Sequence, residues 1–174
     1  MKYNDFEYDF VERTLSNIEW IEKQNSIDNE NRNALDFYEV TNFINQCLGL
    51  IILTSQFSDK IFLKNFPQEL SYYGVGDHIV NKIKDNKQKT LSNVMRHIRN
   101  GIAHGHIQQV IDGSDDITDV KIWDVDVDQN IENPTEKDAH TIIEFRVEEL
   151  KLFAINVAKE YCKLKKEELA PPAN

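Results

Sequence analysis

The stretch NVMRHIRNGIAHGH, Asn93 to His106, holds two arginines and three histidines within the eleven residues Arg96 to His106. Histidine titrates near neutrality, so it can take a proton from a ribose 2′-hydroxyl or give one to a leaving 5′-oxygen. Arginine presents a planar fork of donors that matches phosphate oxygens and stays charged as the phosphorane gains negative charge. Arg99, Asn100 and His104 are therefore the residue types needed to cleave RNA without a metal. The bland alternative is a surface helix whose Arg and His merely face water. Geometry constrains the chemistry further. At about 100° per residue, Asn100 and His104 share a helical face, whereas Arg99 and His104 stand about 140° apart around the axis. Either the helix ends between them, as Gly101 and Gly105 would permit, or a second chain completes the site.

The elements that must position this stretch can be read from periodicity. Phe6, Phe10, Val11, Ile18 and Ile21 recur at helical spacing over roughly residues 5–23, with Trp20 expected in the core beside Ile21. ALDFYEVTNFINQCLGLIILTSQ is apolar on nearly every side in its second half and too long for a strand, so it predicts a central helix. HIVNKIK predicts a short helix, and KTLSNVMRHIRNGIAH a longer one capped by Thr90 or Ser92 and stopped by Gly105. HIQQVID, ITDVKIWDVDV and HTIIEFRV switch to β-branched and aromatic residues with two-residue alternation, which predicts a small antiparallel sheet. Leu150, Phe153, Ala154, Val157, Ala158 and Tyr161 keep helical spacing in the last element. The expected fold is mainly α, a helical bundle with a small antiparallel β-sheet inserted before the C-terminal helix. One domain is expected over residues 1–168, with a disordered tail over 169–174.

The 174 residues carry a formal net charge of −10, which argues against a non-specific grip on nucleic acid, since that grip comes from Lys and Arg releasing counterions. Charge is uneven along the chain. Residues 81–105 hold six basic residues and one acid, whereas residues 112–138 hold ten acids and two lysines. Any contact with nucleic acid is thus expected to be local. The two cysteines, Cys47 and Cys162, fall on apolar helical faces, as reduced, buried thiols would. With no signal region and no apolar run of membrane-spanning length, a cytoplasmic protein without membrane attachment is expected.

RNGIAH also fits the R-x(4–6)-H motif of the HEPN superfamily, with asparagine directly after the arginine and glycine directly after the histidine. The chain resembles that superfamily beyond the motif. FYEVTNFINQCLGLIIL precedes it on a long apolar helix, MRHIRNGIAHG closes a later helix, and β segments come before a final helix. The resemblance covers roughly Phe6 to Lys163 and implies a HEPN-like bundle. It implies a metal-independent endoribonuclease acting on single-stranded RNA, leaving 2′,3′-cyclic phosphate and 5′-hydroxyl ends. His104 would be the acid/base, Arg99 the phosphate binder and Asn100 the orienting residue, with Arg96 and His106 as neighbouring support. A polar residue of the long helix would contact the motif, Glu39 first, then Asn42 and Asn45. The resemblance further implies a homodimer with juxtaposed motifs and a toxin or defence setting with an antitoxin or another protein partner. One departure stands out: toxins regulated by nucleotide transfer carry a tyrosine two residues after the motif histidine, where this chain has His106.

Other chemistry fits less well. A metal site could draw on His97, His104 and His106, but zinc sites pair neighbouring ligands with others from a distant segment, and the nearest cysteine, Cys47, belongs to an apolar face. No metal and no cofactor are therefore assigned. DVDVDQN has aspartates at alternate positions, yet lacks the glycine and glutamate of a calcium loop and reads as a solvent-edged strand. His78 and His140 stand isolated and read as surface or loop residues. Trp123 suits either base stacking or the core. The rival function is a non-catalytic HEPN module that binds RNA or another protein, which would not need the intact Arg99 and His104 pair.

Overall fold

The computed structural model describes residues 6–27, 36–57, 62–83, 89–113, 117–126 and 134–169. Four α-helices lie among them: α1 (Phe6–Ile27), α2 (Asp36–Phe57), α3 (Leu91–Ala103) and α4 (Val147–Leu169). Four strands, β1 (Val80–Lys82), β2 (Ile107–Ile111), β3 (Ile117–Asp124) and β4 (Thr141–Arg146), form one antiparallel sheet in the order β1-β4-β3-β2. The mainly α architecture with a small sheet ahead of the last helix is thus as expected. No described helix is long and apolar enough to cross a membrane.

The core lies where α2 and α4 meet, with α3 and the inner face of the sheet closing it. Helix α2 contributes Ile44, Cys47, Leu50 and Ile51, and α4 contributes Leu150, Phe153, Val157 and Tyr161, all buried. Each such large apolar side chain contributes roughly 1.5–3 kcal/mol through the area it removes from water. Both cysteines are buried and unpaired. Burial pushes the Cys47 thiol up to about 12, so it is a packing group and not a nucleophile.

Helix α3 explains itself from its sequence. Thr90 accepts a hydrogen bond from the Asn93 amide and caps the first turn. Leu91, Val94, Met95 and Ile98 recur every three or four residues and are buried, which fixes the face turned inward. Gly101 extends that face. A Cβ there would stand 2.6 Å from Ile122 Cγ2 and 2.6 Å from the Trp123 carbonyl oxygen, so only glycine lets α3 lie this close to β3. The helix therefore runs through Gly101 and stops later. Gly105, at φ 71°, takes the left-handed conformation, with the His106 amide donating to the Gly101 carbonyl and the Gly105 amide to that of Ile102. This closure satisfies carbonyls that the helix end would otherwise leave bare.

Three expectations are corrected. HIVNKIK opens on the last two residues of a short 3-10 turn, Asp77–Ile79, and continues as strand β1, which docks on the edge of β4. Trp20 is 63% exposed, because it lies about 200° around α1 from the buried Ile18. The DVDV run is no solvent-edged strand throughout, because Asp124 continues the inward face of β3 after Val120 and Ile122 and is 4% exposed. The C-terminal tail lies outside the described residues, apart from Leu169, the last residue of α4.

Candidate active site

Helix α3 splits its polar side chains between two environments. Toward β3 it turns His97 and Asn100, and both meet Asp124. His97 Nδ1 lies 2.7 Å from Asp124 Oδ2, and Asn100 Nδ2 donates to the same oxygen at 3.1 Å. On the far side of the imidazole, Arg96 Nη2 stands 3.0 Å from His97 Nε2. A guanidinium only donates, so Nε2 is the acceptor and the His97 proton sits on Nδ1, aimed at the carboxylate. His140, which precedes β4, brings its Nε2 to 3.8 Å from Asp124 and 3.5 Å from Asp126 Oδ1. Its ring meets that of His97 edge-on at 5.3 Å. Burial raises the Asp124 pKa, but the hydrogen bonds from His97 and Asn100 and the electrostatic attraction of the two imidazoles outweigh it, so the carboxyl stays below its ordinary value and ionised.

From this buried hub the bonding runs outward. Asn100 is held by Asp124 through its amide nitrogen and offers its oxygen to Arg99, whose Nη2 stands 3.4 Å away. Arg99 is half-buried, and its fork is thus oriented by a residue that is itself tied to the sheet. His104 is the first residue past α3, at φ −99° and ψ 5°, and is exposed. No hydrogen bond engages its ring among the described residues. That ring leans on His106 with centroids 5.8 Å apart, and His106 stacks on Trp123 at 5.6 Å with planes 9° from parallel. His106 Nδ1 and Trp123 Nε1 are buried without a hydrogen-bond partner among the described residues.

Arg99, Asn100 and His104 therefore occupy the final turn of α3 and its exit, with Arg96 one turn earlier and His106 just beyond. No hydrogen bond or ring contact joins Arg99 and His104 among the described residues. The helix does end between them, but at Ala103, one residue before His104. The long helix supplies less than expected. Asn42 and Asn45 are exposed, and among the described residues neither bonds the motif. Glu39 lies in α2, with its side chain outside the described residues.

A model of the family described as HEPN pEK499 p136 matches residues 1–168. The chain belongs to this HEPN family. Neither the curated proteins nor the solved structures hold a match. Membership is consistent with the helical core, whereas the Asp124 hub is found by geometry. Sequence reasoning missed Asp124 and His140. A signal for Asp124 was present, because Val120, Ile122 and Asp124 share one parity in a strand, and parity decides the face. His140 gave none. It reaches Asp124 because the β3–β4 register pairs Asp124 with Thr141, and the His140 amide donates to the Asp124 carbonyl at 3.0 Å.

Proposed function

We propose that this HEPN chain is an endoribonuclease that cleaves single-stranded RNA without a metal in the reaction. The observation that carries the reading is the pairing of an exposed His104, its ring nitrogens unengaged by hydrogen bonds among the described residues, with an Arg99 whose neighbour Asn100 is anchored to Asp124. In this mechanism His104 removes the proton from a 2′-hydroxyl, and the alkoxide attacks the adjacent phosphorus as the 5′-oxygen departs. Arg99 donates to the non-bridging oxygens as their charge grows. The leaving 5′-oxygen takes up a proton from the protonated His104 of a second copy of the chain, and the products carry a 2′,3′-cyclic phosphate and a 5′-hydroxyl.

One histidine cannot stand on both sides of an in-line displacement at once, and no hydrogen bond joins Arg99 to His104 among the described residues. The reading therefore includes a two-fold homodimer in which two α3 ends face one another and share a cleft of two arginines and two histidines. Such a cleft gathers positive charge on a chain of net charge −10, which draws RNA to it and makes activity fall steeply with salt. A toxin or defence setting with a protein partner is the biological role that the family suggests, in a cytoplasmic compartment.

Incubation of the purified chain with end-labelled single-stranded RNA in EDTA tests the activity. Cleavage that EDTA leaves undiminished is the expected result, and no cleavage, or cleavage that returns only with a divalent ion, would overturn it. Light scattering at micromolar concentration tests the assembly. A dimer is expected, and a monomer with full activity would remove the shared cleft from the mechanism.

A further inference from the structure

We propose that His97, Asp124 and His140 form a binding site for a divalent transition-metal ion, with zinc as its natural probe and Asp126 at its mouth. The site shares Asp124 with the bond that anchors Asn100, but neither Arg99 nor His104 belongs to it, and ion binding does not depend on RNA cleavage. Its three residues come from three places in the chain, the middle of α3, the end of β3 and the approach to β4, and one ligand atom of each lies within 4.8 Å of the others. Ligands about 2.0–2.1 Å from a tetrahedral zinc stand about 3.3 Å apart. The observed separations bracket that value, at 2.7 Å for His97 to Asp124, 3.8 Å for His140 to Asp124 and 3.5 Å for His140 to Asp126. The short one is a hydrogen bond, in which the His97 Nδ1 proton occupies the place an ion would take.

The surroundings suit an ion as well as the distances do. Two imidazoles and carboxylate oxygen favour zinc and its neighbours over magnesium or calcium, which prefer all-oxygen sets. Two neutral imidazoles with two carboxylates balance a doubly charged ion. The side chains of His97, Asp124 and His140 are 4%, 6% and 13% exposed, so bound ion would be largely shielded, and Asp126 at 29% marks the open side. His140 is also oriented as a ligand should be. Its Nδ1 stands 2.8 Å from Thr141 Oγ1, and a ring that donates there leaves the Nε2 lone pair directed at the site.

Binding has a consequence for the motif. Metal on Nδ1 moves the single proton of neutral His97 to Nε2, which then confronts the donor of Arg96. Arg96 is exposed and must leave the ring, so the ion releases one arginine next to the motif. No proton is gained or lost in that tautomer change.

Calorimetric titration of the EDTA-stripped, dialysed chain with zinc chloride tests the site. Saturable uptake of one ion per chain at micromolar or tighter affinity is expected, with a melting temperature that rises with zinc. His140→Ala should weaken binding at least about tenfold, since loss of even an outer-shell partner of a metal ligand costs about 10–100-fold. Asp124→Asn, which can keep the hydrogen bonds to His97 and Asn100, should weaken it as well. Circular dichroism establishes that each variant is folded, and should His140→Ala not fold, Asp124→Asn decides. His106→Ala should bind as the parent does. Absence of saturable uptake would overturn the site, as would affinity unchanged in folded His140→Ala and Asp124→Asn, or affinity lost in His106→Ala, which would assign the ion to the His104 and His106 pair.

Discussion

His97 and His104 sit seven residues apart in one short stretch, and the fold treats them as opposites. His97 is 4% exposed, with both ring nitrogens engaged, one by Asp124 and one by Arg96. His104 is exposed, and among the described residues its ring meets only that of His106. Seven residues make about two helical turns, so an unbroken helix would carry the two side chains on nearly the same face. The difference comes from the helix end. His104 has left helical geometry and Gly105 turns the chain into β2, so the second histidine escapes the sheet that covers the first. Equal chemistry in sequence becomes holding in one place and exposure in the other.

The comparison predicts that damage to the exposed half costs rate and damage to the buried half costs stability. His104→Ala should have the largest effect, a loss of roughly 10²–10⁴-fold in RNA cleavage with an unchanged melting curve, since the group removed is an exposed proton carrier. A variant that unfolds earlier instead would place His104 in the structural half. Asp124→Ala should show the reverse signature. It strands the Nδ1–H of His97 and the amide of Asn100 in a buried setting, at a cost of about 3 kcal/mol measurable in denaturant. Stability equal to the parent would mean that the hub does not hold α3 to β3.

Gly101→Ala probes the same junction through sterics. Alanine favours helix by about 1 kcal/mol, but its methyl group would press on a backbone carbonyl that cannot swing away, so a net loss of about 1–3 kcal/mol is expected. Stabilisation would show that α3 stands farther from β3. Arg99→Lys keeps the charge and loses the fork, and should slow cleavage on the order of tenfold, the worth of one charge-assisted hydrogen bond of about 1.5 kcal/mol. A lysine variant as fast as the parent would reduce Arg99 to a point charge. The smallest effect belongs to His106→Ala, because His106 lies against Trp123 beyond the helix end. If it slowed cleavage more than His104→Ala, the proton carrier would be the wrong histidine.

Much of the frame was legible because apolar periodicity reports which face an element buries. Helices α2, α3 and α4 and strands β2 to β4 follow from it, and Arg99, Asn100 and His104 follow from residue type and motif. Strand β1 was not legible, since Ile79, Val80 and Ile83 have helical spacing and only the open edge of β4 makes Val80–Lys82 a strand. Trp20 misled because it neighbours Ile21 in sequence, while its angle on α1 points outward. The hub was hidden for a deeper reason. Asp124 and His140 join His97 through strand register, which is a property of two distant segments, and Asp124 reads as a surface charge until the parity of Val120 and Ile122 is followed one step further.

The end groups of the RNA fragments made in EDTA test the central claim most directly, because they record which nucleophile attacked. Mass spectrometry of those fragments should find 2′,3′-cyclic phosphate on the upstream piece and 5′-hydroxyl on the downstream piece, with both absent when the substrate carries a 2′-deoxy sugar at the cleaved position. Fragments with 5′-phosphate and 3′-hydroxyl ends, or equal cleavage of the 2′-deoxy substrate, would mean that water is the nucleophile, and would contradict the assignment of His104 to the ribose hydroxyl.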